Sequence, residues 1–481
     1  MAIDVARRAD LTLDAAQRVG WDGEGVTIAP GAKAAMAAAR AGFERLMDEP
    51  GIVIYGVTSG YGQEAHRKLT GPERMVHARR PQLAVQANTG ELFPERAVRL
   101  MVFARLANFL EGHAAVRPKV AEAVAELLTT GPMPPVPRDG AMCAGEILPL
   151  GWLFADLTRR IDPHEKEALA LINGSPVAAA LISDGAIAAK RRLALAEPIF
   201  ALAAEAYRAP LGHFSPEISR LAGDPYEIAA AESLSALWAG GTADRRPYQA
   251  PVSFRILPKM LARLRRDIAR AVEVAGLSLS QVSDNPTFLP PDAAHPNGRI
   301  LSTGGYHNAA AWPALNALAA AYADLCMICD RLISRMLDGK TSGLPDQLMT
   351  GSDERYYMGT LGFALAGYGE KARRAAQAVL LPGSEGGGFV QNDVAVPTTL
   401  AWEGAEEAGR MLDKSLGAVA VVASQALFVT QRHAPPALQD TLAMIHAADA
   451  PSSEPRSPGL AAEAAAQAIR ARIYSGKIAG A

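Results

Sequence analysis

The chain has 481 residues, enough to bury a large core, and its length alone suggests two or three domains. About half of its residues are hydrophobic, a fifth are charged and the formal net charge is −2. This balance gives no electrostatic reason to expect nucleic acid or an anionic membrane surface as a partner.

The N-terminal residues show no apolar region of a secretory signal, and no run of about 18 uninterrupted apolar residues is present to span a bilayer. Three cysteines cannot form a disulfide framework, and their scarcity suits a reducing compartment. We therefore expect a cytoplasmic globular protein without a membrane or nucleic-acid partner.

Apolar residues at helical spacing dominate the predicted elements, and a first helix is expected to end near Met47. The clearest strand signal is 51–55, which a Gly-rich turn follows. A helix with one broad apolar face is predicted over 97–111. Two longer helices, 308–337 and 405–431, exceed the mean of about three turns and are too apolar for a surface position. The sequence predicts a mostly α protein with a smaller mixed N-terminal part.

A Gly-rich segment, YGVTSGYG, runs from Tyr55 to Gly62. Its three glycines allow a tight turn that brings a tyrosine hydroxyl close to a ligand, although a strand followed by a plain turn has the same pattern. The segment resembles the Tyr-Gly-Val-Asn-Thr-Gly-Phe-Gly loop of the aromatic amino-acid ammonia-lyases and aminomutases. In that family this tyrosine is the catalytic base, so the resemblance implies that role for Tyr55.

Further blocks are similar to segments of the same family and follow in the same order. They are 112–118 (GHAAVRP), 167–175 (EALALINGS), 249–255 (QAPVSFR), 283–286 (SDNP), 302–308 (STGGYHN), 342–345 (SGLP), 382–384 (PGS) and 391–393 (QND). Each block alone is weak. Their shared order and spacing, over about residues 10 to 440, identify the chain as a member of this family.

The resemblance implies a set of site residues. Asn173 corresponds to the asparagine beside the cofactor and the substrate, and Arg255 to the arginine that binds the substrate carboxylate. The catalytic residues implied are Tyr55, Asn173 and Tyr306. The substrate-binding residues implied are Arg255, Gln249, Asn392, Gly62 and Val252. No metal-ligand spacing is present, so we expect no metal.

The family's signature segment is altered in this chain. The family reads Gly-Ser-Val-Gly-Ala-Ser-Gly-Asp-Leu-Ala-Pro-Leu, whereas residues 139–150 read DGAMCAGEILPL, which turns the Ala-Ser-Gly triad into Cys143-Ala144-Gly145. In the family, ring closure and loss of the serine hydroxyl give the electrophile methylidene-imidazolone. The methyl group of Ala144 contains no leaving group, so we expect no cofactor. A frame shifted by one, with Cys143 losing sulfide, is the alternative.

Other departures occur at the same implied site. Val252 stands where the family has a second catalytic tyrosine, and Asn392 where the histidine lyases have a glutamate. The family's Ser-His pair before Gly90 is missing, and Val85 lies nearby instead. An engineered serine-to-alanine change would leave the rest of the site intact, so these departures favour natural divergence over engineering.

Without the electrophile, the implied site contains a base, a group that binds a carboxylate and an amide. This combination favours a substrate that is itself already activated for the reaction. We expect a lyase-like enzyme of the carbon–nitrogen lyase family that catalyses elimination, addition or cyclisation on an amino-acid-derived carboxylate. Tyr55 would first need its pKa lowered by nearby charge or hydrogen bonds. The alternatives are a catalytically inactive family scaffold or ligand-binding protein, and an ammonia-lyase whose triad serine was engineered to alanine.

The resemblance also implies an architecture. It is mainly α, with a long central antiparallel helical bundle and a small mixed α/β N-terminal domain. Residues 1–200 would form the N-terminal domain with the Tyr55 loop and the altered triad loop. Residues 201–481 would form the long-helix bundle and the C-terminal helices. A homotetramer is implied, with each active site shared between three subunits.

Overall fold

The structure is a computed structural model that describes residues 2–80, 82–350, 358–386 and 391–475. Its α-helices, within these ranges, are α1 (Leu13–Ala16), α2 (Pro30–Met47), α3 (Gly71–Ala78), α4 (Glu95–Arg105), α5 (Pro118–Glu126), α6 (Ile147–Ile161), α7 (Glu167–Ile172), α8 (Pro176–Ala206), α9 (Pro216–Ala222), α10 (Pro225–Leu237), α11 (Val252–Arg255), α12 (Leu257–Ser280), α13 (Ala311–Leu337), α14 (Gly339–Ser342), α15 (Leu361–Ala375), α16 (Thr398–Val429), α17 (Gln439–Ala448) and α18 (Pro458–Tyr474). The predicted mainly α class is confirmed.

The strands are short and pair in twos. They are β1 (Ala2–Val5), β2 (Gly25–Ile28), β3 (Thr89–Leu92), β4 (Pro137–Asp139), β5 (Thr287–Leu289), β6 (Arg299–Leu301), β7 (Gly383–Gly386) and β8 (Asn392–Val394). β1 and β2 are parallel with Ala2 opposite Gly25, whereas the β3–β4, β5–β6 and β7–β8 pairs are antiparallel. These ribbons are too small to form a core, so the helices supply it.

The chain forms two compact units, neither of which is one continuous stretch. The first unit comprises Met1–Ile187, Ala271–Leu315 and Ala378–Trp402. The second comprises Ala188–Arg270, Asn316–Gln377 and Glu403–Ala481. The strands all belong to the first unit, which is therefore the mixed part of the molecule. The predicted division of the chain near residue 200 stays a prediction.

The predicted helices are present with shifted ends. α2 ends at Met47 as expected, and α13 and α16 correspond to the predicted helices at 308–337 and 405–431. The helix predicted over 97–111 ends earlier, at Arg105, where a 3₁₀ turn replaces it. Cys326 and Cys329 are fully buried in α13, and burial raises the pKa of Cys326 to about 12. Both cysteines are core residues of this apolar helix.

The segment 51–55 is not a strand, so that prediction was wrong. The carbonyl of Ile54 accepts the N–H groups of Val57, Thr58 and Ser59 at 3.1, 2.9 and 3.2 Å. The N–H of Ile54 in turn donates to Thr58 Oγ1 at 2.7 Å. These local hydrogen bonds use the backbone groups that a strand would need for pairing with a neighbouring strand. The segment therefore forms a turn instead of a strand.

Within the described residues, three helical segments are long and apolar enough to cross a membrane by length and composition alone: Glu167–Ala206, Ala311–Leu337 and Thr398–Val429. The most apolar stretches of these segments are 100%, 67% and 83% buried inside the protein. Packing within the protein therefore accounts for their apolar character, and the expectation of a chain without a membrane partner stays a prediction.

A buried ion pair joins two motif segments of the first unit. Lys166 Nζ donates to Asp284 Oδ2, and both side chains are fully buried. Burial lowers the pKa of Lys166, whereas the charge of Asp284 and their hydrogen bond act to raise it. Lys166 immediately precedes α7, and Asp284 immediately precedes Asn285. The ion pair therefore holds the start of α7 next to the segment that carries Asn285.

Replacing Lys166 by methionine is expected to lower the free energy of unfolding by about 3–5 kcal/mol, because Asp284 would remain buried without its partner. Urea denaturation followed by circular dichroism measures the change. The matched control is Lys33→Met, which removes the exposed Lys33–Glu122 pair and should cost about 0–1 kcal/mol. Equal loss in the two variants would contradict a structural role for the buried pair.

Candidate active site

The Tyr55 loop closes on itself through its glycines. The N–H of Gly62 donates to the Tyr55 hydroxyl oxygen at 3.0 Å, and the Gly56 N–H donates to the Gly60 carbonyl at 3.3 Å. Gly62 has φ +59°, a left-handed conformation in which a side chain would be strained. The segment therefore forms a tight turn that holds the Tyr55 hydroxyl against Gly62, and the expectation that this hydroxyl meets a ligand stays a prediction.

The altered triad lies in a tight turn before α6. Cys143 is extended, Gly145 has φ +69°, and the carbonyl of Gly145 accepts the N–H of Gly174 at 3.1 Å. A Cβ atom on Gly145 would lie 2.5 Å from Asn173 Oδ1, so the position has room for glycine alone. The triad loop and the Asn173 loop are thus in direct contact.

Glu146 anchors the triad loop to the start of α8. Its carboxylate accepts the N–H groups of Val177 and Ala178 at 2.6 and 2.8 Å, in the first turn of that helix. Burial raises the pKa of Glu146 to about 8, although these two N–H donors and the charge of Arg105 act to lower it. Glu146 is a helix cap beneath the triad rather than a group inside the cavity described below.

Asn173 is held from two sides. Its carbonyl accepts from Arg105 Nη1 at 2.6 Å, and its side-chain Nδ2 donates to the carbonyl of Asn285 at 2.5 Å. Arg105 is fully buried, and burial lowers its pKa to about 10. Asn285 Oδ1 accepts the N–H of Thr303 at 2.8 Å, which joins this loop to the segment that carries Tyr306.

These loops enclose a cavity of about 120 Å³, which we call the inner cavity. Its lining consists of Tyr55, Tyr61, Gly62, Val85, Ala144, Gly145, Ile147, Leu169, Ile172, Asn173, Asn285, Tyr306, Gln391 and Asn392. A second cavity of about 450 Å³, the outer cavity, shares Tyr55, Asn285, Tyr306 and Gln391 with it and adds residues 302–304. A substrate can therefore reach the phenol of Tyr55 from a wider space.

The inner cavity brings together most of the predicted site residues of the first unit. Among them are Tyr55, Gly62, Asn173, Tyr306 and Asn392. Ala144 and Gly145 of the triad also line it, whereas Cys143 is not among its lining residues and its Sγ accepts the N–H of Leu148 at 3.4 Å. The side chain of Ser384, from another quoted block, lies outside the described residues.

The described lining of the inner cavity is polar but uncharged, consisting of phenols, amides and apolar side chains. Burial raises the pKa of Tyr55, and the neighbouring Tyr306 and Tyr61 raise it further, while the N–H of Gly62 opposes them. The expectation that a catalytic Tyr55 needs a lowered pKa is thus not met by its neighbours here. Tyr55 is a protonated phenol at neutral pH.

The remaining predicted residues, Gln249, Val252 and Arg255, belong to the second unit. Arg255 ends the short helix α11, and its Nε is buried without a hydrogen-bond partner. Val252 begins that helix and is largely exposed. A buried guanidinium N–H without an acceptor is costly, which is consistent with an arginine that binds a carboxylate.

Several lining residues were not predicted. Tyr61 lies in the Gly-rich segment 55–62 and Asn285 in the block 283–286. Their places in these motifs could have identified them as lining residues. Gln391 begins the quoted block QND. In the sequence, nothing distinguishes Ile147, Leu169 and Ile172 from ordinary core residues. They form one wall of the inner cavity because the turn of the triad loop packs against α7.

Comparison with known proteins gives a consistent result. The family model described as aromatic amino acid lyase matches residues 11–161 and 153–449. Histidine ammonia-lyase of Symbiobacterium thermophilum is 28% identical over 365 residues, which cover 70% of this chain and 71% of that protein. Histidine ammonia-lyase of Streptomyces griseus is 29% identical over 355 residues, covering 67% and 68% of the two chains.

Solved structures share the fold over almost the whole length. Tyrosine aminomutase from Streptomyces globisporus superposes with a TM-score of 0.85 at 23% identity, covering 98% of both chains. The ergothioneine-degrading enzyme ergothionase from Treponema denticola gives a TM-score of 0.89 at 16% identity, covering 98% of this chain and 99% of its own. At these identities the likeness concerns the fold.

The ionisation of Tyr55 can be measured directly. The difference between ultraviolet pH titrations of the wild type and Tyr55→Phe isolates one phenol. We expect the midpoint of this difference titration to lie above the ordinary tyrosine pKa of about 10, because burial raises the pKa of Tyr55. In urea, where the protein is unfolded, the midpoint of the same difference titration should be about 10. A folded-state signal that develops below about pH 9 would contradict this electrostatic description.

Proposed function

Because the chain belongs to the aromatic amino acid lyase family, we propose that it catalyses elimination, addition or cyclisation on an amino-acid-derived carboxylate without the family's methylidene-imidazolone electrophile. The observation that carries the proposal is the joint lining of one cavity by Tyr55, Asn173, Tyr306 and the methyl group of Ala144. In this proposal Tyr55, Asn173 and Tyr306 keep their roles, the family's second catalytic tyrosine is replaced by Val252, and Ala144 stands where the electrophile's precursor would be.

The residues of the triad loop do not fit the family's electrophile. Its formation requires a leaving group on the central residue, and Ala144 carries a methyl group. Gly145 retains the backbone conformation that the turn needs, and Glu146 still caps α8, so the loop is intact in shape. The chemistry proposed for this site therefore uses side chains and backbone groups alone.

Tyr55 is the proposed base, and its raised pKa restricts what it can do. Because burial raises the pKa of Tyr55 above its ordinary value, its phenolate is scarce at neutral pH. A phenolate that scarce is a poor match for the β-proton of an unactivated amino acid. This favours a substrate whose C–H is acidified by a neighbouring carbonyl or imine, or one that carries a better leaving group than an amine.

The proposed elimination step is balanced within the substrate and Tyr55. The phenolate takes the proton from carbon, the C–H electron pair forms the new double bond, and the leaving group departs with its own bonding pair. Asn173 and Tyr306 line the same cavity and can orient or polarise the substrate. In addition or cyclisation the same groups would act in the reverse sense, with the Tyr55 phenol supplying the proton.

Arg255 is the proposed anchor for the substrate carboxylate. A charge-assisted hydrogen bond of this kind contributes about 1.5–3 kcal/mol. The wall formed by Val85, Ile147, Leu169 and Ile172 would accept the carbon skeleton of the substrate. We further propose a homotetramer, as the family resemblance implies, in which three subunits contribute to each site.

A panel of carboxylates incubated in D₂O and analysed by mass spectrometry tests this function. One group contains 2-oxo acids and imine or N-acyl derivatives of amino acids, and the other contains unmodified histidine, phenylalanine and tyrosine. We expect elimination or deuterium exchange in the first group alone. Tyr55→Phe should lower that rate by about 10²–10⁴-fold, because the proposed base is lost.

The matched control is Tyr226→Phe, which removes a phenol on α10 of the second unit and should leave the rate unchanged. Undiminished turnover in Tyr55→Phe would refute the role of Tyr55. Binding of panel members without any reaction would support the inactive, ligand-binding alternative.

The intact mass of the purified protein tests the missing electrophile. We expect the mass of the unmodified sequence and no added near-ultraviolet absorbance, because Ala144 has no group to lose. Cys143→Ala should then leave both measurements unchanged apart from the substitution itself. A mass deficit equal to one water or one hydrogen sulfide, localised to residues 142–145, would mean that an electrophile forms after all.

A further inference from the structure

The segment 249–255 of the second unit carries Arg255 and has little regular structure of its own. α11 is a single helical turn, and Pro251 before it has no N–H to donate. At the far end of the segment, the ring of Phe254 stacks on Tyr207 with centroids 4.3 Å apart. At the near end, a hydrogen bond from Ala250 to His213 holds the chain.

The direction of this hydrogen bond fixes the state of the histidine. The N–H of Ala250 can only donate, and it donates to His213 Nε2 at 3.1 Å. His213 Nε2 must therefore carry a lone pair, so the ring is neutral with its proton on Nδ1. Ala250 is buried, hence its N–H would lose its acceptor without gaining water if the ring became protonated.

The second charge in this arrangement is that of Arg255. Burial lowers the pKa of His213, and among the described residues the charge of Arg255 lowers it further. The Nε of Arg255 is itself buried without a partner. A protonated His213 would thus lose its bond to Ala250 and stand as a second cation near the arginine.

We infer that His213 is a positioning residue for the carboxylate anchor: its neutral ring fixes the start of the segment 249–255 at Ala250, and protonation of the ring releases that start and loosens the placement of Arg255. The inference rests on the proposed function insofar as Arg255 binds the substrate carboxylate. Acting through the backbone of Ala250, His213 makes binding of the ionised carboxylate weaker in acid although the arginine keeps its charge there.

The sign of the pH effect follows from the lowered pKa. The folded protein binds the His213 proton more weakly than the unfolded chain does, so the contribution of this contact is fully present above about pH 6.5. It is lost as the pH falls from that value through the lower pKa of the folded state. The acid limb of carboxylate binding should report this titration.

Hydrogen exchange of the Ala250 amide tests the inference without any substrate. The measurement compares protection factors, corrected for intrinsic exchange rates, in the peptide 246–254 at about pH 8 and about pH 4.5. We expect the wild type to lose protection at Ala250 by at least about tenfold in acid. His213→Gln retains an acceptor that does not titrate, so it should stay protected at both values.

His213→Phe removes the acceptor and should leave Ala250 unprotected at both pH values. Amides in the middle of α12, such as that of Leu264, serve as the internal control for global unfolding and should not change. Protection at Ala250 that is independent of pH in the wild type would overturn the inference. The same would follow if His213→Gln lost protection in step with the wild type.

Titration with benzoate, followed by calorimetry, separates this inference from the proposed function. If both hold, benzoate affinity falls in acid for the wild type, becomes independent of pH in His213→Gln and is lost in Arg255→Ala. If benzoate binding is indifferent to Arg255→Ala while the exchange results are as expected, the anchor role of Arg255 is wrong and the positioning by His213 stands.

Discussion

The buried pair of Lys166 and Asp284 is the constraint on which the candidate site depends. Both charges are fully buried, so leaving either without its partner would strongly destabilise the fold. The two residues are 118 positions apart in the sequence. Lys166 leads into α7 and so to Asn173, and Asp284 leads into Asn285. Once the pair is formed, the amide of Asn173 meets the carbonyl of Asn285, and both line the inner cavity. An interaction outside the cavity thus contributes, together with the bond from Arg105 to the Asn173 carbonyl, to the position of Asn173 and Asn285.

The triad loop is held by groups other than the side chain that the family uses for chemistry. The Gly145 carbonyl is bonded to Gly174, the left-handed conformation at Gly145 is met by glycine, and Glu146 caps α8. None of these contacts involves the side chain of Ala144. The shape of the loop therefore does not depend on the side chain at position 144, so a serine or an alanine there is compatible with the same backbone contacts.

Motif order was enough to predict the mainly α fold and the family, because Gly-rich turns and buried polar residues must keep their place for these loops to close. Tyr55, Asn173 and Tyr306, which the same resemblance singled out, line one cavity, and their catalytic roles stay predictions. The strand expected at 51–55 was wrong, since the Ile54 carbonyl is used by three local N–H groups. The direction of the Tyr55 pKa could not be predicted either, because burial and the proximity of Tyr306 arise only in the folded chain. For the same reason the apolar wall of Ile147, Leu169 and Ile172 was indistinguishable from core.

Charge is distributed unevenly between the implied parts of the site. The described lining of the inner cavity is uncharged, while the implied carboxylate anchor, Arg255, belongs to the second unit with its Nε unpartnered. An uncharged cavity leaves Tyr55 protonated and suits proton transfer to or from a substrate that is already activated. An anchor whose local segment is fixed by His213, rather than by groups of the cavity, can be adjusted without altering that proton transfer. The two departures from the family's pattern, at Val252 and at Ala144, accordingly belong to different units of the chain.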